Sequence, residues 1–200
     1  MIKVQQIGKP VKVKVNILIY IIVILLALTI VGALIALPIL LVSAAIAKRR
    51  AEKKAKIYIE KDFLEFIGAK PQYINTSLIE VPGLNSSIVG NGIAYHQGCL
   101  YILDKGVAAQ IPWDDIRSYS WHIEGYNKTE MYGGGIRDMG TKMQVGMDNA
   151  FAAMKAERAS GMFIEVADID RPVWHFQTAD KALLNRWMEI FNQIKEGKIS

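Results

Sequence analysis

The sequence predicts an α+β protein in which an N-terminal apolar helix crosses a membrane and an antiparallel β domain, closed by a C-terminal helix, follows it. Three observations carry this. Residues 17–47 hold no charged side chain, and twenty of these 31 are Ile, Leu or Val. Between residues 77 and 124 short apolar runs alternate with turn residues, and residues 180–196 repeat apolar side chains at helical spacing.

The apolar run comes first. Each Ile, Leu or Val favours the bilayer centre by roughly 0.3–0.6 kcal/mol, and no charge opposes them. A helix of 31 residues rises about 45 Å, more than a hydrocarbon core of about 30 Å. A hairpin would leave arms of about 15 residues, too short to cross. One span, tilted or broken near Gly32 or Pro38, is therefore expected. A cleaved signal peptide is the rival, since Ala45-Ile46-Ala47 has the small-x-small form of a cleavage site. It fits less well, because signal cores run only about 7–15 residues, and here Lys48, Arg49 and Arg50 follow at once.

Charge is divided along the chain. Residues 1–56 carry ten basic and one acidic side chain, a net +9, whereas residues 57–200 carry fourteen basic and eighteen acidic, a net −4. A nucleic-acid domain would show its basic excess on the folded part, so nucleic acid is not an expected partner. The excess sits beside the apolar run, where anionic headgroups attract it. Lys48, Arg49, Arg50, Lys53, Lys54 and Lys56 are the expected headgroup contacts. Six cations after the run against four before it place the C-terminal domain in the cytoplasm, on a single-pass protein of the inner membrane. The single cysteine, Cys99, excludes an intrachain disulfide and suits a reducing compartment.

Residues 1–16 then read as a short basic tail, 17–47 as the transmembrane helix and 48–72 as a basic helical stalk. Ile59, Phe63, Phe66 and Ile67 share one face of that stalk, and Gly68 and Pro71 end it. Residues 73–200 form one domain, opening with a loop at Asn75-Thr76-Ser77. Strand-length runs at 77–81, 87–90, 92–96, 99–103 and 107–111 follow, separated by Pro82-Gly83, Asn91-Gly92, Gln97-Gly98 and Asp104-Lys105-Gly106. Asn-Gly favours the type I′ hairpin turn, so a meander is the simplest account. Pro112 interrupts the ladder, Trp113-Asp114-Asp115-Ile116 turns a corner, and another strand spans 117–124.

Residues 125–147 form a Gly/Met-rich insert containing Gly133-Gly134-Gly135. Asp148 can cap a short helix through 149–159, and 161–167 with 172–178 form a last hairpin. The closing helix places Leu183, Leu184, Trp187, Met188, Phe191 and Ile194 on one stripe, with Thr178 or Asp180 as its cap.

Residues 92–121 (GIAYHQGCLYILDKGVAAQIPWDDIRSYSW) resemble the strand, turn, strand, I-P-W-x-D-I corner and following strand of bacterial pleckstrin-homology-like (PH-like) domains. With residues 161–174 (GMFIEVADIDRPVW) and the Trp187 helix, the chain is similar to an uncharacterised bacterial family of membrane-anchored PH-like proteins. The resemblance implies a PH-like antiparallel β-barrel or sandwich with a C-terminal capping helix and attachment to a membrane. It brings no reaction and no catalytic residues. The basic K-x-n-[KR]-x-R pattern of inositide-binding PH domains is missing, since residues 92–103 contain no Lys or Arg.

Chemistry-bearing groups are few. His96 and Cys99 have an H-x2-C spacing that His122 or His175 could complete as a metal set. Asp114 and Asp115 could form an acid/base group with His122, and Asp168 with Asp170 could take a divalent cation. Each has a plainer account as a buried thiol, an exposed imidazole or turn chemistry. No nucleophile elbow, phosphate loop or dinucleotide fingerprint occurs. The expectation is a non-enzymatic membrane-anchored interaction module without cofactor or metal. Its protein partner would bind Met131, Tyr132, Arg137, Met139, Met143 and Met147, because loops on rigid sheets commonly carry function. The alternatives are a membrane-bound hydrolase or transferase using Asp114, Asp115, His122 and His96, and a mobile-element or host-defence membrane factor.

Overall fold

A computed structural model describes residues 2–7, 10–27, 30–81, 86–125 and 139–199. Two strands, β1 (Lys3–Gln6) and β2 (Val11–Lys12), precede two helices, α1 (Ile17–Ala27) and α2 (Ile30–Ile67). Four strands follow: β3 (Tyr73–Val81), β4 (Ser87–His96), β5 (Cys99–Asp104) and β6 (Val107–Pro112). A single 3-10 turn at Trp113–Asp115 leads to β7 (Ile116–His122), and α3 (Met139–Ala159) to β8 (Gly161–Val166), β9 (Val173–Gln177) and α4 (Lys181–Lys195). The described chain is thus α+β.

The expected single transmembrane helix is corrected here. Among the described residues no helix is long and apolar enough to cross a membrane. The apolar run divides between α1 and α2, which pack against each other. Ile19 lines the same cavity as Ser43, Ile46 and Ala47. In one continuous helix, residues 19 and 43 would lie about 36 Å apart at 1.5 Å per residue. The two helices therefore run antiparallel, as the hairpin that the length argument set aside. The eleven residues of α1 rise only about 16 Å.

Within residues 1–16, read as a short basic tail, two stretches join the sheet. β1 pairs antiparallel with β6 from Lys3↔Gln110 to Gln6↔Val107. Ile7 N–H donates to Gly106 O, and β2 pairs with β4 at Val11↔Ile88. The N-terminal segment thus straps one end of a six-stranded antiparallel sheet, in which β3 and β5 flank β4 on opposite edges. A second sheet has the order β7-β8-β9.

Two of the expected hairpin turns form as read. Gln97 and Gly98 (φ 47° and 73°), and Lys105 and Gly106 (φ 52° and 87°), take the paired left-handed conformations of type I′ turns. Asn91-Gly92 does not turn: β4 runs straight through it. Asn91 is fully buried. Its Nδ2 donates to Ser77 Oγ (2.7 Å) and Gln177 O (2.8 Å), and its Oδ1 accepts from Gln177 N (3.1 Å). Asn75, expected in a loop, lies in β3 and accepts from Trp187 Nε1 at 2.9 Å. Both asparagines spend their side chains on long-range bonds, and tertiary context overrides their local preference.

The large sheet is covered on both faces. Ile93, Tyr95, Leu100, Ile102 and Ile111 meet the second sheet (Ile164, Trp174, Phe176) and the inner stripe of α4. Ala94, Tyr101, Leu103 and Ala108 point the other way, onto α2. Residues 48–72 are therefore not a projecting stalk: Ala51, Ala55, Ile59, Phe63 and Ile67, four apart, form a buried ladder along α2. Glycines let that helix come close. A Cβ at Gly90 would lie 2.8 Å from Ile59 and Leu103, and one at Gly92 would lie 3.2 Å from the Phe63 ring. Burying Ile59 and Phe63 contributes about 1.5–3 kcal/mol each. At the other end Asp180 caps α4, accepting from the amides of Ala182 and Leu183 at 2.9 and 3.1 Å. Leu184, Trp187, Phe191 and Ile194 of the expected stripe are buried, with Ile190 added.

Candidate functional site

The hairpin presents what a folded domain normally hides. In α1, Ile17, Leu18, Tyr20, Ile21, Ile22, Ile24 and Leu25 are exposed, and in α2 so are Ile35, Ile39, Leu41, Val42 and Ile46. Among the described residues nothing covers the outer faces of these side chains, and such a patch exceeds what soluble monomers expose. Asn16 starts α1 as its cap, accepting from Leu18 N–H at 3.1 Å.

At the base of the hairpin lies an open groove of about 800 Å³, bounded by the segment leading from β2 into α1 and by the middle of α2. Its cationic lining is Lys12, Lys14, Arg50, Lys53 and Lys54, and its upper wall includes Ile19 and Ile46. Arg50, Lys53 and Lys54 stand at i, i+3 and i+4, one face of a helix. None of the five takes part in an ion pair among the described residues.

The expected headgroup contacts thus separate. Arg50, Lys53 and Lys54 line the groove. Lys48 turns away and donates to Glu80 Oε2 at 2.6 Å, a bond that raises its ammonium above the ordinary lysine pKa. Lys56 pairs with Glu60 (3.9 Å), and Arg49 is exposed. Lys12 and Lys14 were legible only as cations before the run, because nothing in the sequence showed that the chain doubles back.

The expected partner-binding residues fall partly outside the described residues, as Met131, Tyr132 and Arg137 do. Met139, Met143 and Met147 belong to α3. Met147 is exposed, and Phe151 and Met154 continue its stripe at i+4 and i+7, with Phe151 63% exposed. Ala156 and Ser160 anchor the C-terminal end of α3: both are buried, and Ser160 Oγ bonds to Ala156 O (2.8 Å) and receives Glu124 N–H (2.9 Å). Phe151 and Met154 lie beyond the predicted Gly/Met-rich insert, which ends at 147, and only the full extent of α3 puts them on one stripe with Met147.

The acid/base and metal groupings do not assemble. Asp115 and His122 stand at opposite ends of β7, about 23 Å apart at 3.3 Å per residue. His122 instead meets Glu124 at 2.8 Å. His96 and Cys99 face each other across the β4–β5 turn, and Cys99 Sγ lies 3.6 Å from Gln110 Nε2. His175 belongs to the other sheet, stacked on Phe163 (4.4 Å) and bonded to Ser160 O (3.1 Å); burial lowers its pKa. Asp168 Oδ1 is occupied by the amides of Asp170 (2.9 Å) and Arg171 (3.4 Å). Arg171 lies 3.6 Å over the Trp174 ring and pairs with Asp104, which ties that turn to β5. Among the described residues no group of three His, Cys, Asp or Glu could hold a metal ion.

One protein family, described as a Domain of unknown function (DUF4755), matches residues 88–197, more than half of the chain and the stretch from β4 through α4. The matched stretch leaves out the hairpin and the cations of the groove. No curated protein and no solved structure matches.

Proposed function

We propose, for a chain that belongs to the DUF4755 family, a non-enzymatic role as an interaction module seated on one face of an anionic membrane. The observation that carries this reading is the pairing of an exposed apolar hairpin with a cluster of cations at its base that enter no ion pair among the described residues. The shorter arm, α1, rises about 16 Å, roughly half of a 30 Å hydrocarbon core, and the uncharged part of α2, residues 30–47, rises about 27 Å, so the hairpin enters the core from one side. Lys12, Lys14, Arg50, Lys53 and Lys54 then stand at headgroup depth, where each adds about 1 kcal/mol of attraction. Because both flanks of the apolar run sit together, the positive-inside bias places them jointly at the cytoplasmic face.

The β domain is held beside that surface and offers the Met147, Phe151 and Met154 stripe of α3 to a protein partner; Met side chains adapt to varied surfaces. A PH-like identity for the domain is part of the proposal. It is supported by the succession of four antiparallel strands (β3–β6), three more (β7–β9) and a C-terminal helix over their shared core.

The test is flotation of the full chain, moved from mild detergent onto vesicles. Wild type floats with anionic vesicles, and the Ile21→Asp/Leu25→Asp variant stays at the bottom with its unfolding midpoint unchanged. Equal flotation of both proteins would refute the role of the hairpin.

A further inference from the structure

We infer that the groove at the base of the hairpin is a site for one phospholipid whose headgroup carries two phosphates, a reading that rests on the membrane seat proposed above. Two segments distant in sequence bring five cations to one groove: Lys12 and Lys14 from the strand side, and Arg50, Lys53 and Lys54 from α2. Among the described residues no acid lines the groove, and like charges gathered there repel, so the arrangement calls for an anion from outside the chain. The nearby acid Glu52 does not serve, because it faces the opposite side of α2, lining a different cavity with Lys48 and Glu80.

The groove changes character along its length. Cations hold its lower part, and Ile19, Ile46 and Ala47 line the part nearer the apolar arms. The N-terminus of α1 opens there too, adding the positive end of its dipole. A soluble phosphate or a nucleic acid would use only the charged end. A lipid uses both, with phosphates on the cations and an acyl chain against the isoleucines. The placement of the cations chooses among lipids: a single phosphate meets one side of the groove, whereas two phosphates bridge the strand side (Lys12, Lys14) and the helix side (Arg50, Lys53, Lys54) at once.

The experiment compares binding of the full chain to two vesicle sets of equal total surface charge. One contains a phosphatidylglycerol with one charge per lipid, and the other contains half as much diphosphatidylglycerol. Tighter binding to the second set is expected, and Lys53→Gln/Lys54→Gln abolishes that preference, each lost cation weakening binding about fivefold. Lys61→Gln/Lys70→Gln, the same change of charge away from the groove, keeps it. Equal binding to the two sets by wild type would overturn the site while leaving the membrane seat standing, and no binding to either would remove both. Inorganic pyrophosphate, titrated calorimetrically into the detergent-solubilised chain, should bind far more weakly than the diphosphate lipid. Equal affinity would overturn the lipid assignment.

Discussion

The two halves of α2 are made of opposite materials and have opposite surroundings. Residues 30–47 contain no charge, whereas eleven of residues 48–67 are charged. Yet Leu41 and Val42 in the first half are 62% and 59% exposed, and Ala55 and Phe63 in the second are fully buried. Composition reports the solvent a segment is suited to, and periodicity reports which side chains pack. In the second half a four-residue spacing of Ala, Ile and Phe matters more than the surrounding lysines and glutamates, because only that stripe meets the sheet. In the first half every face is apolar, and the domain supplies too little surface to cover it.

Substitutions on the two halves should separate stability from membrane binding. The largest effect is expected from Phe63→Ala, which empties a fully enclosed position between α2 and the sheet and should cost about 3–5 kcal/mol. Chemical unfolding followed by tryptophan fluorescence measures it. A loss under about 1 kcal/mol would mean that α2 does not hold the sheet. Asn91→Ala comes next. It deletes three hydrogen bonds and strands the Gln177 backbone groups, so a loss of about 1–3 kcal/mol is expected in the same assay. Ile21→Asp/Leu25→Asp should shift stability by no more than about 0.5 kcal/mol, since both side chains are exposed, while removing vesicle binding.

The smallest effect concerns pH. Burial lowers the pKa of His175 below its ordinary 6.5, while the Ser160 carbonyl and Asp104 oppose the shift and Lys105 adds to it. The folded state therefore binds fewer protons than the unfolded chain just below pH 6.5. The stability contributed by neutral His175 is complete above that pH and is lost as pH falls toward the lowered folded-state value. His175→Gln should flatten this part of a stability-versus-pH curve. An unchanged slope would assign the dependence to other groups.

Much of the β domain was legible because its signals are local. Gln97-Gly98 and Lys105-Gly106 set two-residue turns, and the spacing from Leu184 to Ile194 set α4. Unbroken apolar runs such as CLYILD match a sheet covered on both faces, as the two core clusters show. Asn75 and Asn91 were misread because their partners, Trp187 and Gln177, are 112 and 86 residues away. The candidate site was half visible. Its cations and apolar run were plain, but their convergence depends on the reversal between α1 and α2 and on the β2–β4 pairing, neither of which composition encodes. The length rule that excluded a hairpin assumed that an apolar run must cross a bilayer, whereas one that enters a single leaflet has no such minimum.

That reversal can be measured directly. In a Cys99→Ser background, single cysteines replace Lys14 and Lys53 in separate chains, and sealed vesicles bearing each protein are treated with a membrane-impermeant maleimide. A hairpin seated in one leaflet predicts labelling of both positions from the same side. Labelling of Lys14→Cys from one side and Lys53→Cys from the other would contradict it.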